Sequence, residues 1–286
     1  ADLHYDVPRS KQPAMDFAEQ VNAMDVDAVL LVGDTATSAD SKLEEALALF
    51  RGDRVNLFVP GNHELWNRKK QTPVNVLLKD ELPRRVRNAG WHWLPGDPWR
   101  RGTLAIVGNG GWYDYQFASP RLGLPDQFYE AGLSPAAARR LERHDLEPWP
   151  ADLPDFYARW NDKRFIHELG DDRAFNRDRL SEFRDDLLDV SDAATVVAGV
   201  HVCPTQAMLP RVPDGPIPES KLRFAFVRAF LGSPAYSESA TGEVVRVDHG
   251  FCGHSHVPRP REPGSPWQNI GSDYTTKRHA IVTLTT

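Results

Sequence analysis

The chain is short of several things, and each shortage removes a class of protein. It has two cysteines, Cys203 and Cys252, in 286 residues. That is too few for a disulfide framework, so a reducing, cytoplasmic setting is the expectation. No apolar run approaches the roughly 18–20 residues that span a bilayer, so no membrane association is expected. There is no internal repeat and no low-complexity tract, which excludes solenoid arrays and biased linkers. Neither sign of charge dominates: 34 Lys and Arg stand against 40 Asp and Glu, for a formal net charge of −6. A mildly acidic chain is poorly suited to coating long nucleic acid, although a local basic cleft is compatible with that total.

What is there is an ordinary globular composition, 41% hydrophobic and 26% charged, and a chain long enough to bury a core. Strand-like apolar runs alternate with helical patterns. Residues 28–32, 55–59, 104–107 and 195–200 are runs suited to strands covered on both faces, and further strands are predicted at 244–248 and 280–284. Residues 14–24, 41–50 and 74–82 are predicted helices, the last stopped by Pro83. After Tyr113 the chain becomes rich in Arg, Asp, Trp, Tyr and Pro, with helical pieces near 135–144 and 177–188. The organisation implied is a single α/β domain over residues 1–286, interrupted by a largely helical, lid-like insertion at 113–192.

Five polar clusters punctuate this pattern: Asp2-x-His4, Gly33-Asp34, Gly61-Asn62-His63-Glu64, Val200-His201 and Gly253-His254-Ser255-His256. Four follow a strand-like run. The first opens the chain with no apolar run before it, so a strand, and with it room for a short leader, is expected upstream of Ala1. Without that strand, Asp2 and His4 would sit on a frayed end and hold a metal poorly. Strand ends in an open α/β sheet converge on one edge, which lets distant clusters meet.

Taken singly, each cluster has a commonplace explanation. Gly-Asp after a strand is usually a turn, and Asn-His-Glu is often a loop or helix cap. Gly-His-x-His is more specific, because imidazoles two apart on an extended segment face the same way. Together the clusters supply carboxylates, imidazoles and one amide oxygen, a mixed set that suits Mn, Fe, Zn or Co better than Ca. With no thiolate among them, a structural zinc site is not expected. A carboxylate such as Asp34 can bridge two ions, and two ions about 3.5–4 Å apart can hold a hydroxide and clamp phosphate oxygens.

These residues resemble the motif set of the calcineurin-like metallophosphoesterase superfamily, over a span from Asp2 to His256. Gly61-Asn62-His63-Glu64 and Gly253-His254-Ser255-His256 are its most specific strings. The resemblance implies a four-layer α/β/β/α sandwich and two divalent ions, Mn first, with Fe, Zn or Co also fitting. By motif, Asp2, His4 and His256 would bind the first ion, Asp34 would bridge, and Asn62, His201 and His254 would bind the second. His63 would not ligate. It would face the leaving-group oxygen as general acid or charge stabiliser. Many members carry an acid where Thr37 stands here, and that acid orients the histidine; whether another acid such as Glu64 replaces it stays open.

The expected activity is hydrolysis of a phosphate ester, a phosphodiester or phosphomonoester of a small molecule or nucleotide, by a metal-bridging hydroxide with His63 assisting the leaving group. A metal-dependent nuclease is one alternative and would need a continuous basic groove. A non-catalytic scaffold of the same fold is another, and would be expected to lack some of these ligands. No protein partner is evident. Among nearby residues, Trp112, Tyr113 and Tyr115 could stack on a base but more simply pack the insertion onto the core. Arg68, Lys69 and Lys70 could attract phosphate or form a solvated basic face. Residues 269–274 resemble the family's substrate-side loop. Cys203 and Cys252 are expected to be neighbouring core thiols. His92, His144, His167, His249 and His279 match no motif and are expected on the surface or in the core.

Overall fold

Alternating side chains on the central strands build three apolar interfaces, and so four layers. In the computed structural model, which describes residues 1–67, 71–147, 150, 152–242 and 245–284, β1 (Ala28–Val32), β2 (Val55–Val59) and β3 (His92–Trp93) form a parallel sheet in that order. A second sheet runs β4 (Trp99–Arg101), β5 (Leu104–Asn109), β6 (Thr195–Val200), β7 (His249–Cys252) and β8 (Trp267–Asn269), antiparallel only between β4 and β5. The helices in chain order are α1 (Pro8–Asn22), α2 (Lys42–Leu47), α3 (Val74–Val76), α4 (Leu82–Asn88), α5 (Asp126–Glu130), α6 (Pro135–Arg140), α7 (Asp162–Phe165), α8 (Asp172–Asp189), α9 (Glu219–Val227) and α10 (Ala235–Ala240).

Leu57 and Val59 of β2 meet Leu104 and Ile106 of β5 and Val197 of β6 between the sheets. Side chains one residue away point the other way, as a two-residue period requires. Thus Leu31 and Phe58 pack with Phe17, Leu43 and Val86 from α1, α2 and α4. On the far side, Ala105, Val107, Val196 and Ala198 pack with Phe183 and Leu187 of α8 and Tyr236 of α10. The free edge of β1 borders an apolar cavity of about 460 Å³ lined by Val29, Leu30, Leu57, Ile106, Phe251 and residues 278–284.

The chain leaves β5 and returns parallel to it in β6, which demands a long crossover. Helix α8 is that crossover and belongs to an outer layer of the sandwich. The remainder of the predicted insertion carries α5 to α7, with a small core of Phe128, Leu133, Ala137, Ala138 and Leu146. Trp112, Tyr113 and Tyr115 are buried with Tyr129, Phe226 and Phe230, so they pack rather than offer a stacking face.

Several predicted elements differ. The strand at 244–248 lies later, at His249–Cys252, where β7 pairs with Val197–Gly199 of β6. Val245 and Val247 use their alternation to anchor a loop on the outer core instead; Val244 is outside the described residues. Residues 280–284 pair with no strand, and Ile281 is exposed while Leu284 touches the inter-sheet core. Pro83 does not stop its helix. The chain passes through a π-helical turn at Leu77–Glu81 and continues as α4 to Asn88. A proline ring clashes with the carbonyl four residues back in α geometry, and the wider turn relieves that. The first helix starts earlier than predicted, with Pro8 in its first turn. No helix among the described residues is long and apolar enough to cross a membrane.

Asp186 of α8 makes the fold pH-dependent. It is buried and accepts the Gly96 N–H at 3.0 Å. Burial, with Glu182, Asp185 and Asp189 nearby, pushes its carboxyl up to about 7 from an ordinary 3.8, against the Gly96 hydrogen bond. A raised acid leaves stability intact at low pH and removes it as pH climbs from about 4 through about 7. Asp186→Asn keeps an acceptor for Gly96 without the charge. Urea unfolding should show the variant more stable by on the order of 1 kcal/mol at about pH 8, with the gain fading near pH 4. An equal effect at both pH values would contradict this account.

Candidate metal centre

Four of the clusters meet at one end of the sandwich because each lies at the carboxyl end of a parallel strand, two in each sheet. Gly33-Asp34 follows β1, Gly61–Glu64 follow β2, His201 follows β6 and Gly253–His256 follow β7. The opening residues run alongside them: Asp2 N–H donates to Gly33 O at 3.0 Å and His4 N–H to Asp34 O at 2.9 Å. Lys277 Nζ donates to Asp2 O at 2.9 Å and Ser10 Oγ at 2.7 Å. Asp2 and His4 are therefore fully buried and tied down, not frayed.

Two groups of donor atoms result, each within 4.8 Å of one another: Asp2, His4, Asp34 and His256, and Asp34, His201 and His254. Asp34 serves both. Its Oδ2 lies 3.7 Å from His4 Nε2, while its Oδ1 lies 3.2 Å from His201 Nε2. In the first group His256 Nε2 lies 3.1 Å from His4 Nε2 and 3.5 Å from Asp2 Oδ1.

The second group is held from behind. His201 Nδ1 bonds Val32 O at 2.9 Å, and His254 Nε2 bonds Phe230 O at 3.0 Å. A carbonyl only accepts, so each ring carries a proton on that side and turns its other nitrogen toward the donor group. Asn62 Nδ2 donates to Asp162 Oδ1 at 2.9 Å. Asn62 Oδ1 and His201 Nε2 are buried with no hydrogen-bond partner. Buried polar atoms are normally satisfied, so the acceptor-only Asn62 oxygen fits a cation, and His201 Nε2 does so once its proton is displaced.

The electrostatics agree. Burial opposes the charge on Asp34, but His201, His63 and His4 hold its carboxyl well below the usual range. Asp2 is likewise held low against its burial by His256. Burial lowers His4, with His63 adding to the effect, and burial with His201 brings His254 down to about 4. These are anionic oxygens and neutral nitrogens, the forms that ligate. Burial opposes protonation of His201 and His256, yet Asp34 pushes His201 up to about 10 and Asp2 raises His256. A divalent cation would compete with those two protons.

Convergence distorts the backbone. Asp2, His4, Asp34, His254 and His256 have φ of 58°, 45°, 54°, 65° and 56°, a region that non-glycine residues seldom adopt and that costs energy. Gly33 and Gly61 permit the close approach. A Cβ on Gly33 would lie 2.4 Å from His201 Nδ1, and one on Gly61 2.3 Å from Asp34 Oδ1.

Glu64 has a role that its motif does not reveal. Fully buried, it accepts four backbone N–H groups: Thr35 and Ala36 on Oε1 at 2.6 and 3.0 Å, Asp34 and Gly61 on Oε2 at 3.0 and 2.6 Å. Burial and Asp34 push its carboxyl up to about 7, against its hydrogen bonds with Gly61 and Ala36. It pins the β1 and β2 loops together and does not replace the acid absent at Thr37. His63 takes its orientation from elsewhere. Its N–H donates to Asp34 Oδ1 at 2.9 Å, its Nε2 lies 3.8 Å from Asp34 Oδ2, and its ring stacks on Trp66 at 3.6 Å.

Trp66 and Asp162 belong to the site without any motif to announce them. Tyr274, from the expected substrate-side loop, stacks on His4 at 4.7 Å and carries the Arg9 guanidinium 4.2 Å from its own ring. Asn269 Nδ2 braces the paired histidines through Gly253 O at 2.9 Å and Ser255 Oγ at 3.0 Å. Cys203 and Cys252 are buried free thiols. His92, His144, His167, His249 and His279 join neither donor group. Arg68, Lys69 and Lys70 are outside the described residues.

The packing around Gly61 makes one variant decisive. Gly61→Ala should displace the Asp34 carboxylate and cut Mn²⁺ affinity by at least about tenfold in calorimetric titration. Two ions bound with unchanged affinity would show that the close approach is incidental.

No family model matches the chain, and no curated protein matches it. Among solved structures it is similar to the phosphopantetheinyl hydrolase of Mycobacterium tuberculosis, with a TM-score of 0.64 and 20% identity over 95% of this chain and 87% of that one. A dimetal phosphatase from Danio rerio aligns over 92% of this chain and 77% of its own, with a TM-score of 0.46 and 17% identity. The likeness to the hydrolase shows a shared fold, and the five clusters of this chain meet at one end of its two sheets.

Proposed function

We propose that the protein is a dimetal hydrolase of a small phosphate ester. The observation that carries this reading is Asp34, with one oxygen turned to each of two buried donor groups. Asp2, His4, His256 and Asp34 would hold the first ion, and Asp34, Asn62, His201 and His254 the second. Two divalent ions at such a site, Mn first by the mixed oxygen and nitrogen donors with Fe, Zn or Co also fitting, would neutralise phosphoryl oxygens and lower the pKa of water.

The chain's own residues supply the rest. His63 turns its Nε2 to the Asp34 side of the pair, placed to donate a proton or hydrogen bond to a departing oxygen. Trp66 keeps the ring from turning away. Tyr274 and Arg9 stand beside His4, where a charged ester would approach. The insertion at 113–192, apart from its crossover helix α8, would serve as the lid that selects the ester. The similar hydrolase of Mycobacterium tuberculosis is named for a phosphopantetheinyl group, so a phosphodiester with a pantetheine arm joins nucleotide esters as a substrate class to try.

The test is metal analysis of the purified protein, followed by hydrolysis assays with Mn²⁺ added. The panel comprises an aryl phosphodiester, an aryl phosphomonoester, cyclic nucleotides, a phosphopantetheinyl diester and single-stranded DNA. Asp34→Asn and His254→Ala should abolish metal-dependent turnover. His63→Ala should keep its metal and lose about 10²–10⁴ in kcat. A metal-loaded protein inert across the panel would overturn the proposal, and preference for DNA would move it to the nuclease.

A further inference from the structure

We infer that Asp162, a carboxylate from the segment that crosses over the site, is a positioning residue for the second metal and for His63. The inference rests on the dimetal reading above and adds a residue that no motif contains.

Asp162 is fully buried at the start of the four-residue helix α7. Its Oδ1 accepts from Asn62 Nδ2 at 2.9 Å and Trp66 Nε1 at 2.7 Å. Its Oδ2 accepts from Trp160 Nε1 at 2.9 Å and Tyr113 OH at 3.3 Å. Two of the four partners are indoles, which can only donate. Their geometry demands acceptors on both oxygens, which an ionised carboxylate offers and an amide cannot. Burial raises the Asp162 carboxyl, and the hydrogen bonds from Asn62, Trp66 and Trp160 oppose that shift.

This network sets the direction of Asn62. Facing a carboxylate, the amide must turn its NH₂ inward, which sends its carbonyl oxygen the other way. That oxygen is the buried Oδ1 without a partner. The same carboxylate holds the indole on which His63 stacks, and Phe165 of α7 packs edge-on to that indole at 4.9 Å. Asn67 N–H closes the clamp on Phe165 O at 2.9 Å. Trp160 extends it, lying edge-on to His254 at 5.9 Å and stacked at 4.9 Å on Phe230, whose carbonyl orients that histidine. Asp162 thus plays for an asparagine the part that outer carboxylates and carbonyls play for ligating histidines.

Asp162→Asn is nearly isosteric but turns a donor toward donors. With folding checked by circular dichroism and thermal melting of the metal-free protein, Mn²⁺ titration should show one of two sites weakened by about 10–100-fold. kcat on the best phosphodiester should fall while KM holds. A purely structural role predicts a lower melting temperature with both Mn²⁺ affinities and kcat unchanged, and that result overturns the inference. Should the variant fail to fold, Trp160→Phe removes one donor and leaves the carboxylate in place. It should weaken one Mn²⁺ site several-fold, and unchanged affinity there also overturns the inference. A wild-type chain that takes up no metal would instead overturn the dimetal reading, and this inference with it.

Discussion

Asp34 is buried among positive and polar partners that together decide where everything else stands. Its Oδ1 takes the His63 N–H and faces His201, while its Oδ2 faces His4 and the His63 ring. A carboxylate so deep is tolerated only if both oxygens are engaged. That requirement ties β1, β2 and β6 to one point, and through His4 it ties the opening residues too. Glu64 is the counterpart on the backbone side. It gathers N–H groups from the loops after β1 and β2, so Asp34 cannot shift without breaking a buried network.

Such convergence has a local cost that the rest of the fold offsets. Five candidate ligands carry left-handed backbone angles, and each strained residue costs of order 1–3 kcal/mol. The strain persists because rigid strands deliver these residues from both sheets, with apolar cores on every face. Gly33 and Gly61 complete the arrangement by admitting His201 and Asp34 where a Cβ would stand. The surplus stability of the four layers is spent at the site, the usual place for local rules to be broken.

The legible parts of the fold were those with enough residues to show a period. β1, β2 and β6 match their predicted bounds because each is an unbroken apolar run between two layers. β3, β4 and β8 have only two or three residues, too few for a period to emerge. At 245–247 an alternating pattern anchors a loop, and at Pro83 a π turn carries the helix past a residue that would normally end it. Local pattern cannot encode either outcome, because both are settled by the surface the segment meets. The site divides the same way. The seven motif residues and His63 announce themselves by spacing. Glu64 sits inside a motif while its action on the backbone is invisible there, and Trp66 lies just beyond one.

Asp162 shows why the remainder was not legible. It meets Asn62 across 100 positions of sequence, from a stretch whose composition speaks only of polar helices and aromatics. Yet its four donors come from the β2 loop, from the exit of β5 and from the segment that crosses the site. One acceptor-only group at that junction gives the covering segment and the metal donors a shared constraint. A segment tethered in this way cannot shift without loosening Asn62 and the indole under His63. Ester selection by the segment and orientation of the catalytic groups would then be coupled through one carboxylate, which is how a variable segment can tune an otherwise fixed centre.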